Sequence, residues 1–350
     1  MRVVIADPPA YTPPYDYALA AALVRQGLDV GLLTSRFRFG DVPPAAGFDV
    51  DDTLYGLSTH LTSQGARLAA KALGHPRSLA KLASARCDVL HLQWSAAPEA
   101  DTWLLHSRAP LVFTAHDLLP RRTSRHTRTW KRLFTRFDRV VTHSERGRRT
   151  LEQFGVPGAK LRVIPHPAFR SDPVRADDGR TVLALGVIRP YKGLPDAVEA
   201  VLAVEGARLL VAGDPRIPLE ALRRAAGNRA EWRLGYLSER EIALALGAAT
   251  VAVFPYRAEL DQSGALLQAL GAGLPAVVYD VGGLGEIVGA FGAGRVVPAG
   301  DVEGLAEALR ELLHDPEALA AARAGAAHAR DNLTWDRSGA EHRALYEELM

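Results

Sequence analysis

The chain has 350 residues, of which 48% are apolar and 23% charged, and its net charge is only +2. This composition is ordinary for globular proteins, excludes an extensively disordered chain, and suits two domains of about 150–180 residues each. The single cysteine, Cys87, excludes an intramolecular disulfide and is typical of a reducing compartment. The start, MRVVIADPP, lacks the apolar core of a signal peptide, and no long apolar run is free of charge, so we expect a cytoplasmic protein without a membrane span.

In chain order, the first half alternates short apolar runs with helical segments. Helices are predicted over 16–27 and 144–155, each ending at a glycine, with Ser144 as the N-cap of the second. The apolar runs are rich in Val, Leu and Ile, which is typical of parallel strands covered on both faces. These predicted strands are 2–6, 29–35, 87–94, 110–117 and 138–144.

Positive charge is concentrated in residues 121–149, which hold 11 Lys/Arg and 2 Asp/Glu. Such a segment suits anionic lipid surfaces, phosphorylated acceptors or nucleic acid. The same residues carry Trp130, Leu133, Phe134 and Phe137 at helical spacing, which indicates a buried apolar stripe. One helix can do both, packing on one face and attracting anions on the other. Nucleic acid is not expected, since aromatic-rich motifs and metal spacing are missing.

The second half repeats the alternation of strands and helices. Predicted strands are 181–187, 207–213, 230–237, 250–256, 275–281 and 294–300, with helical periodicity between them. Residues 161–181 are rich in Pro, Asp and Arg without a period, and are interpreted as a hinge. We therefore predict an α/β protein of two Rossmann-like domains facing across a cleft, residues 1–168 and 169–334, with a C-terminal helix (335–350) packing back on the first. Ligands of such sheets bind beyond the carboxyl ends of the strands.

The strongest short motif is GVIRPYKG, residues 186–193, which follows a strand and precedes a helix. Arg189 and Lys192 are thereby predicted on the loop at the carboxyl end of that strand. Two fixed cations there can stabilise the charge that develops on a diphosphate leaving group without a metal ion. The alternative is a surface turn with incidental charges, which the scarcity of lysine (5 Lys against 37 Arg) disfavours.

A second motif, ELDQSGALLQALGAGLP, covers residues 259–275. Gln262, Ser263 and Gly264 begin its helix, where unpaired backbone N–H groups and the positive helix end favour an anion. Gly264 allows a phosphate to approach the backbone closely. An ordinary N-cap at Ser263 explains the pattern equally well when it stands alone, but less well beside GVIRPYKG.

Together these motifs resemble segments of the GT-B glycosyltransferases of family 4, and the resemblance extends over nearly the whole chain. The further matching segments are LQALGAGLPAVVYDVGGLGEIV (267–288), GRVVPAGDVEGLAEAL (294–309), RVIPHP (162–167) and, more loosely, FTAHD (113–117). The resemblance implies a hexosyl transfer from a sugar nucleotide, with retention of anomeric configuration and no metal or other cofactor. The acceptor that we expect is a sugar or a polyprenyl-linked sugar of cell-envelope polysaccharide or glycoconjugate synthesis. The charge of residues 121–149 predicts binding to an anionic membrane surface, which would favour a lipid-linked or cell-envelope acceptor.

Roles follow from the resemblance residue by residue. Arg189 and Lys192, beside Gly186, would clamp the donor diphosphate, and His116 would face the donor sugar near its anomeric carbon. Backbone groups at Ser263 and Gly264 would hold phosphate and sugar hydroxyls. The strand end at Gly235-Tyr236-Leu237 would border the nucleobase. By itself, a single histidine at a strand end is more often structural.

Two departures from the family pattern stand out. The family commonly has two glutamates separated by seven residues, and here Leu260 and Gln268 occupy those positions, with Glu259 and Asp261 as candidates to contact the sugar. An amide can still bond a ribose hydroxyl, so we expect about a tenfold loss of donor affinity, because charged hydrogen bonds exceed neutral ones by roughly 1 kcal/mol.

The second departure is the loop 6–20, ADPPAYTPPYDYALA, which lacks the paired glycines often seen after the first strand. We predict that Tyr11, Thr12, Tyr15 and Asp16 line the acceptor side.

Other functions fit less well. A metal-dependent GT-A enzyme would need an Asp-x-Asp site, and Asp49-Val50-Asp51 matches literally but is interpreted as part of a turn-rich stretch in the wrong fold pattern. A nicotinamide dehydrogenase would need G-x-G-x-x-G after a strand, and neither domain start has it. The remaining alternatives are a GT-B sugar-nucleotide epimerase and a sugar-nucleotide-binding protein without catalysis.

Overall fold

The computed structural model describes residues 1–38, 40–119, 123–257 and 260–350. The chain divides into two compact units, residues 1–165 with 335–350, and residues 166–334. Each unit is built around its own parallel sheet, of seven strands in the first and six in the second. The predicted α/β class with two Rossmann-like domains is thereby confirmed.

The first unit begins with strand β1 directly at the N-terminus. Its strands are β1 Arg2–Asp7, β2 Asp29–Thr34, β3 Asp49–Asp51, β4 Val89–Leu92, β5 Leu111–Thr114, β6 Arg139–Thr142 and β7 Leu161–Val163. Its helices are α1 Pro13–Arg25, α2 Gly56–Thr59, α3 Gln64–Ala83, α4 Pro98–Leu104, α5 Thr127–Phe134 and α6 Glu145–Phe154. The sheet order is β3-β2-β1-β4-β5-β6-β7. Over the described ranges, no helix is both long and apolar enough to cross a membrane.

Successive side chains of a strand point to opposite faces of the sheet, so the side chains of β1 belong to two cores, one on each face. Val3 and Ile5 pack with α1 residues, whereas Val4 and Ala6 belong to the opposite core. That second core is covered by the predicted stripe Trp130, Leu133, Phe134 and Phe137, all at most 2% exposed. The predicted burial of these four side chains is confirmed, although Phe137 lies beyond the end of α5.

The structure corrects three predictions in this unit. The interpretation of Asp49–Asp51 as part of a turn-rich stretch is wrong, because these residues form β3 and pair with β2 at the edge of the sheet. The predicted hinge starts too early, because Leu161–Val163 form β7 against β6. Helix α1 begins at Pro13 rather than residue 16, since proline has no N–H to lose in the first turn.

The second unit has strands β8 Thr181–Leu185, β9 Arg208–Gly213, β10 Ala230–Leu234, β11 Val251–Phe254, β12 Ala276–Tyr279 and β13 Gly294–Val297. Its helices are α7 Leu194–Leu202, α8 Glu220–Ala226, α9 Glu239–Ala248, α10 Gly264–Gly271, α11 Gly282–Phe291, α12 Val302–His314 and α13 Pro316–Asn332. The sheet order is β10-β9-β8-β11-β12-β13. Neighbours β8 and β11 are therefore joined to strands on opposite sides, which makes this the topological switch point.

The final helix, α14 (Trp335–Glu347), returns to the first unit, which confirms the prediction for the C-terminus. It packs along α1, where the Asp336 carboxylate accepts from Arg25 Nε at 2.6 Å. The Tyr346 hydroxyl also lies 2.7 Å from His91 Nδ1 on β4. Polar and apolar contacts together hold the C-terminal helix to a sheet whose last strand ends more than 170 residues earlier.

Candidate functional site

The switch point of the second unit holds a small open pocket. It is lined on one side by the end of β8 and the loop after it, including Gly186 and Lys192. On the other side lie the end of β11 and residues Pro255 and Tyr256. The pocket therefore lies where parallel sheets of this topology bind ligands.

Backbone hydrogen bonds hold the loop that carries the GVIRPYKG motif. Ile188 N–H donates to the Asp214 carbonyl at 2.8 Å, and Arg216 N–H donates to the Ile188 carbonyl at 2.8 Å. Residues Pro190–Lys192 then form a 3₁₀ turn, with the side chain of Arg189 exposed at its start. The loop is thus a continuation of the β8–β9 pairing, which limits its motion.

Lys192 points from this turn into the pocket. Its Nζ lies 4.9 Å from the centroid of the Tyr256 ring. A Cβ atom placed on Gly186 would lie 3.2 Å from Lys192 Nζ and 3.2 Å from the Cβ of Ala265. The ammonium group therefore lies beside Gly186 and the first turn of α10, which brings together the two sequence motifs.

Close approach of the loop to β11 requires glycine at position 193. Gly193 has a φ of +66°, and a Cβ there would lie 1.9 Å from the Pro255 carbonyl oxygen. Both the left-handed backbone and the missing side chain are needed, because no other residue meets both conditions without strain. Gly193 therefore allows the loop that carries Lys192 to lie directly against the residues that follow β11.

We expect Gly193→Ala to lower the free energy of unfolding by roughly 3 kcal/mol, because the left-handed cost and a backbone clash add. Gly206→Ala is the matched control: its φ is +73°, yet nothing lies within 4 Å of the added Cβ. It should cost only about 1 kcal/mol. Urea denaturation followed by circular dichroism measures both, and equal losses would show that the contact with Pro255 is unimportant.

The N-terminus of α10 is open on its outer side. Ser263 caps the helix by accepting from Leu266 N–H at 3.4 Å, and its Oγ lies 3.1 Å from the Tyr256 hydroxyl. Gly264 is exposed, and a Cβ placed on it would meet no atom within 4 Å. An anion can therefore approach the first-turn N–H groups and the positive end of the helix.

The residues before α10 are held by α11. Gly283 N–H donates to the Asp261 carbonyl at 3.0 Å, and Gln262 Nε2 donates to the Gly283 carbonyl at 3.2 Å. Asp261 is fully buried, and Gln268 is half-buried on α10. Glu259, the other candidate to contact the sugar, lies outside the described residues.

The predicted nucleobase edge continues the row of strand ends. Gly235 N–H donates to the Gly213 carbonyl at 3.1 Å, which joins the ends of β10 and β9. Gly213 in turn lies so close to Gly186 that a Cβ on it would be 2.2 Å from the Gly186 carbonyl oxygen. Tyr236 is 66% exposed next to this edge, and Leu237 packs against the core of the unit.

Sequence reasoning missed an ion pair that fixes the end of β11. Arg257 donates from Nε and Nη2 to both carboxylate oxygens of Asp196, each at 2.8 Å, and Asp196 is 5% exposed. The Tyr279 hydroxyl donates to the same carboxylate at 3.0 Å, and burial raises the pKa of Tyr279 above its usual range. The acidic residue Asp196 in the first turn of α7 was the sequence signal that could have indicated this ion pair. The pair ties the β11 end to the helix that follows the Lys192 loop.

In the first unit, the strand ends converge on His116. Its ring stacks on Trp94 with centroids 5.3 Å apart, and Tyr15 meets it edge-on at 4.8 Å. Its Nε2 lies 2.9 Å from Gln93 Oε1, and its Nδ1 lies 3.4 Å from His143 Nε2. His116 therefore lies in an aromatic and polar setting at the carboxyl end of the sheet.

The hydrogen bond of His143 determines which of its own ring nitrogens carries the proton. Its Nδ1 donates to the Ile164 carbonyl at 2.9 Å, and burial lowers its pKa to about 4. His143 is thus neutral at physiological pH, and its Nε2 is an acceptor beside His116 Nδ1.

The four predicted acceptor-side residues separate by burial. Tyr11 is 58% exposed and Thr12 half-buried, with Trp94 Nε1 donating to Thr12 Oγ1 at 2.9 Å. Tyr15 and Asp16 are at most 2% exposed. A ligand at this surface would therefore meet Tyr11 and Thr12, whereas Tyr15 and Asp16 support them from below.

Asp16 is paired with a second buried carboxyl that sequence reasoning missed, Asp7 at the end of β1. Thr12 N–H donates to Asp7 Oδ2 at 3.0 Å, and Thr12 Oγ1 lies 3.5 Å from Asp16. Burial, together with the charge of Asp7, raises the pKa of Asp16 well above its usual range. Two carboxyls in such contact share a proton. Trp94, Gln93, His143 and Asp7 all end predicted strands, which was the signal that could have identified them.

Asp51 of the Asp-x-Asp match is held by neighbouring side chains. Asp51 Oδ2 lies 2.5 Å from Lys81 Nζ, and its Oδ1 accepts from Thr53 Oγ1 at 2.6 Å. Among the residues with described positions, no group of three or more His, Cys, Asp or Glu side chains is placed to hold a metal ion.

Both units match families of known proteins. Residues 15–168 match the description "Glycosyltransferase Family 4", and residues 179–315 match "Glycosyl transferases group 1". The chain is a family 4 glycosyltransferase. Together the two family matches cover most of this glycosyltransferase. Only its first residues, a short segment between the two matches and the C-terminal end lie outside them.

Its relatives include three mycobacterial enzymes. It is 27% identical to D-inositol 3-phosphate glycosyltransferase of Mycolicibacterium paratuberculosis, over 93% of this chain and 82% of that one. It is 28% identical to phosphatidyl-myo-inositol mannosyltransferase of Mycobacterium leprae, over 71% of this chain and 70% of that one. It is 35% identical to glycogen synthase of Mycobacterium tuberculosis, but over 44% of this chain and only 38% of that enzyme.

Solved structures share the fold of this glycosyltransferase. Sucrose-phosphate synthase from Thermosynechococcus elongatus superposes with a TM-score of 0.78 at 20% identity, over 100% of this chain and 99% of that one. HepE from Anabaena, in complex with UDP-glucose, gives 0.71 at 17% identity, over 100% of both chains. The GT-B fold predicted from the sequence motifs is confirmed.

Proposed function

We propose that this glycosyltransferase moves a hexosyl group from a nucleoside-diphosphate sugar to a sugar or polyprenyl-linked acceptor, with retention of configuration, in cell-envelope polysaccharide or glycoconjugate synthesis. The observation that carries the proposal is the position of Lys192. Its ammonium lies beside Gly186 and the open first turn of α10 at the switch point of the second unit. A cation and a helix N-terminus directed at one place are suited to a diphosphate.

The second unit is the proposed donor-binding unit. Arg189 and Lys192 neutralise the leaving diphosphate, Ser263 and Gly264 present backbone groups, and Tyr236 borders the nucleobase. Gln268 takes the place of the ribose-binding carboxylate. The complex of HepE with UDP-glucose supports a nucleotide sugar as the donor class. If Arg189 and Lys192 both neutralise the leaving group as proposed, the reaction needs no metal ion.

The first unit is the proposed acceptor-binding unit. Tyr11 and Thr12 are accessible beside the aromatic cluster of Trp94 and His116. In the proposed reaction, His116 contacts the transferred sugar. The mannosyltransferase of Mycobacterium leprae, which by its name acts on phosphatidyl-myo-inositol, supports a lipid-linked acceptor.

A lipid-linked acceptor requires contact with a membrane, and we propose the inner face of the cell membrane, reached through residues 121–149. On α5, Arg128, Lys131 and Arg132 are exposed opposite the buried stripe. Arg139 and Arg148, by contrast, are paired with glutamates of the chain. Vesicle binding should therefore fall steeply with salt, since exposed charges are screened within about 8 Å at physiological ionic strength. Equal binding to neutral and anionic vesicles would contradict this role for the arginines.

The transferase activity is tested by incubating the protein with a panel of sugar nucleotides and sugar or lipid-linked acceptors. We expect release of nucleoside diphosphate that depends on the acceptor. Nuclear magnetic resonance of the product reports the anomeric configuration, and added chelator tests the metal independence. Donor epimerised without any acceptor would favour an epimerase, and tight nucleotide binding without release would favour a binding protein.

A further inference from the structure

Tyr256 lies between the two motifs of the proposed donor site. It follows β11 by two residues, lines the pocket and is 2% exposed. Lys192 Nζ lies above its ring, 4.9 Å from the centroid. Its hydroxyl oxygen lies 3.1 Å from Ser263 Oγ. One buried side chain therefore contacts both the cation of the GVIRPYKG loop and the residue that caps α10.

The ring contact fixes a charge without neutralising it. A lysine side chain is flexible and loses rotamer freedom when it is held in one place, so an attraction is needed to hold it there. The negative face of an aromatic ring attracts an ammonium group that lies within about 6 Å of the ring centroid. A carboxylate partner would hold the ammonium as well, but it would cancel the charge. The Tyr256 ring leaves the positive charge of Lys192 available to an anion.

The hydroxyl contact fixes the start of α10. Ser263 is 4% exposed, and its Oγ accepts from Leu266 N–H at 3.4 Å as the N-cap of the helix. The Tyr256 hydroxyl bonds the same oxygen, so the two buried hydroxyls satisfy each other. A serine held in this way keeps the first turn of α10 and its N–H groups in one position. The bond therefore fixes the anion-attracting end of the helix relative to Tyr256.

Neighbouring residues restrain the Tyr256 ring itself. Tyr191 and Phe254 pack against it at nearly right angles, each with ring centroids 5.9 Å from that of Tyr256. The backbone is bonded as well, because Tyr256 N–H donates to the Phe254 carbonyl at 2.9 Å. Arg257 N–H donates to the Tyr191 carbonyl at 2.7 Å. The ring is thus held in place by the chain alone, as a residue that positions other groups must be.

We propose that Tyr256 is a positioning residue of the donor site, whose ring holds the Lys192 ammonium and whose hydroxyl holds the N-terminus of α10 for one diphosphate. Tyr256 acts through these two groups and lowers the cost of ordering them when the ligand binds. The inference rests on the proposed function, because its ligand is the diphosphate of a sugar nucleotide. The alternative is that Tyr256 only packs the end of β11.

The first test is calorimetric titration of the full chain with UDP. Tyr256→Leu should raise the Kd about tenfold or more, because the ammonium loses its fixed position. Tyr256→Phe retains the ring and should bind within about threefold of the native chain, since it loses only the bond to Ser263. Phe291→Leu is the control, because it replaces a partly buried ring of the same unit that does not line the pocket. It should bind UDP like the native chain.

Two further comparisons separate positioning from packing. In the Lys192→Ala background, Tyr256→Leu should raise the Kd only about threefold, because no ammonium remains for the ring to hold. Phenylalanine with three ring fluorines at position 256 keeps the shape of the ring but weakens its negative face, so it should bind UDP several-fold more weakly than Tyr256→Phe. Should Tyr256→Leu fail to fold, the comparison of these two phenylalanines decides by itself.

The possible outcomes distinguish the inference from the proposed donor site. An equal loss from Tyr256→Leu in both backgrounds would overturn the inference, and so would equal Kd values for the fluorinated and the ordinary phenylalanine. If Lys192→Ala weakens binding while Tyr256→Leu binds like the native chain, only the inference is wrong. Failure of the native chain to bind UDP would overturn the donor site, and the inference with it.

Discussion

Lys192→Ala should lower kcat/KM for transfer by about 100-fold or more, because one charge-assisted contact is lost as the diphosphate leaves. The ammonium lies in the pocket, 4.9 Å from the Tyr256 ring, and beside the first turn of α10. Its loss removes the cation that this loop directs into the pocket, while Gly193 and the backbone bonds of the loop remain. Nucleoside-diphosphate release and calorimetric titration with UDP measure the effects on turnover and affinity.

Arg224→Ala is a suitable control for this change. Arg224 is exposed on α8 in the same unit, so the variant loses the same charge away from the pocket. It should retain native turnover. If Lys192→Ala were as active as Arg224→Ala, the assignment of the pocket to the donor diphosphate would be wrong.

Acid should destabilise the first unit strongly, because it contains three fully buried histidines. Burial lowers the pKa of His143 and His342 to about 4 each, and that of His91 well below its usual range. Between these values and about 6.5, the unfolded chain binds protons that the folded chain does not. Stability is therefore lost as the pH falls from about 6.5 toward 4, and each of His143 and His342 should cost about 2 kcal/mol at pH 5.

The carboxyl pair of the same unit acts in the opposite direction. Burial raises the pKa of Asp7 and, more strongly, of Asp16, so the folded chain retains a proton that the unfolded chain releases. This contribution is present at low pH and is lost as the pH rises through the raised pKa values. It offsets part of the histidine effect in acid, so the histidine contribution is best measured by substitution.

His342→Gln should flatten the dependence of unfolding free energy on pH between 7 and 5, whatever its effect on stability at pH 7. His342 is fully buried on α14 and donates from Nδ1 to the Ser338 carbonyl at 2.8 Å. His106→Gln, at an exposed site, should leave the slope unchanged. Four of the five tryptophans lie in the first unit, so fluorescence during urea denaturation reports mainly on this unit. Identical slopes for His342→Gln and the native chain would exclude His342 as a source.

Local sequence patterns predicted much of the fold. The Val- and Leu-rich runs predicted all six strands of the second unit, and Ser144 and Gly155 proved to cap α6 at both ends. Caps and turns are readable because they depend on nearby residues. The three-residue strands β3 and β7 escaped, because strands so short are stabilised by a neighbouring strand and have little pattern of their own. The whole of α3 also escaped, since its apolar residues mark no single buried face: Leu68 and Leu73 are exposed, whereas Leu79 and Leu82 are buried.

The sequence by itself determined the α/β class, the alternation of strands and helices, and the two loops that carry Arg189, Lys192 and Ser263. Periodicity and turn chemistry depend on residues close together in the chain, so they can be recognised from the sequence alone. Only the tertiary structure decided that Lys192 lies against the helix start more than 70 residues later, and that Asp16 is buried against Asp7. It also decided that Leu68 and Leu73 of α3 remain exposed. Such contacts join residues distant in the chain, and packing rather than local preference determines which side chains meet water.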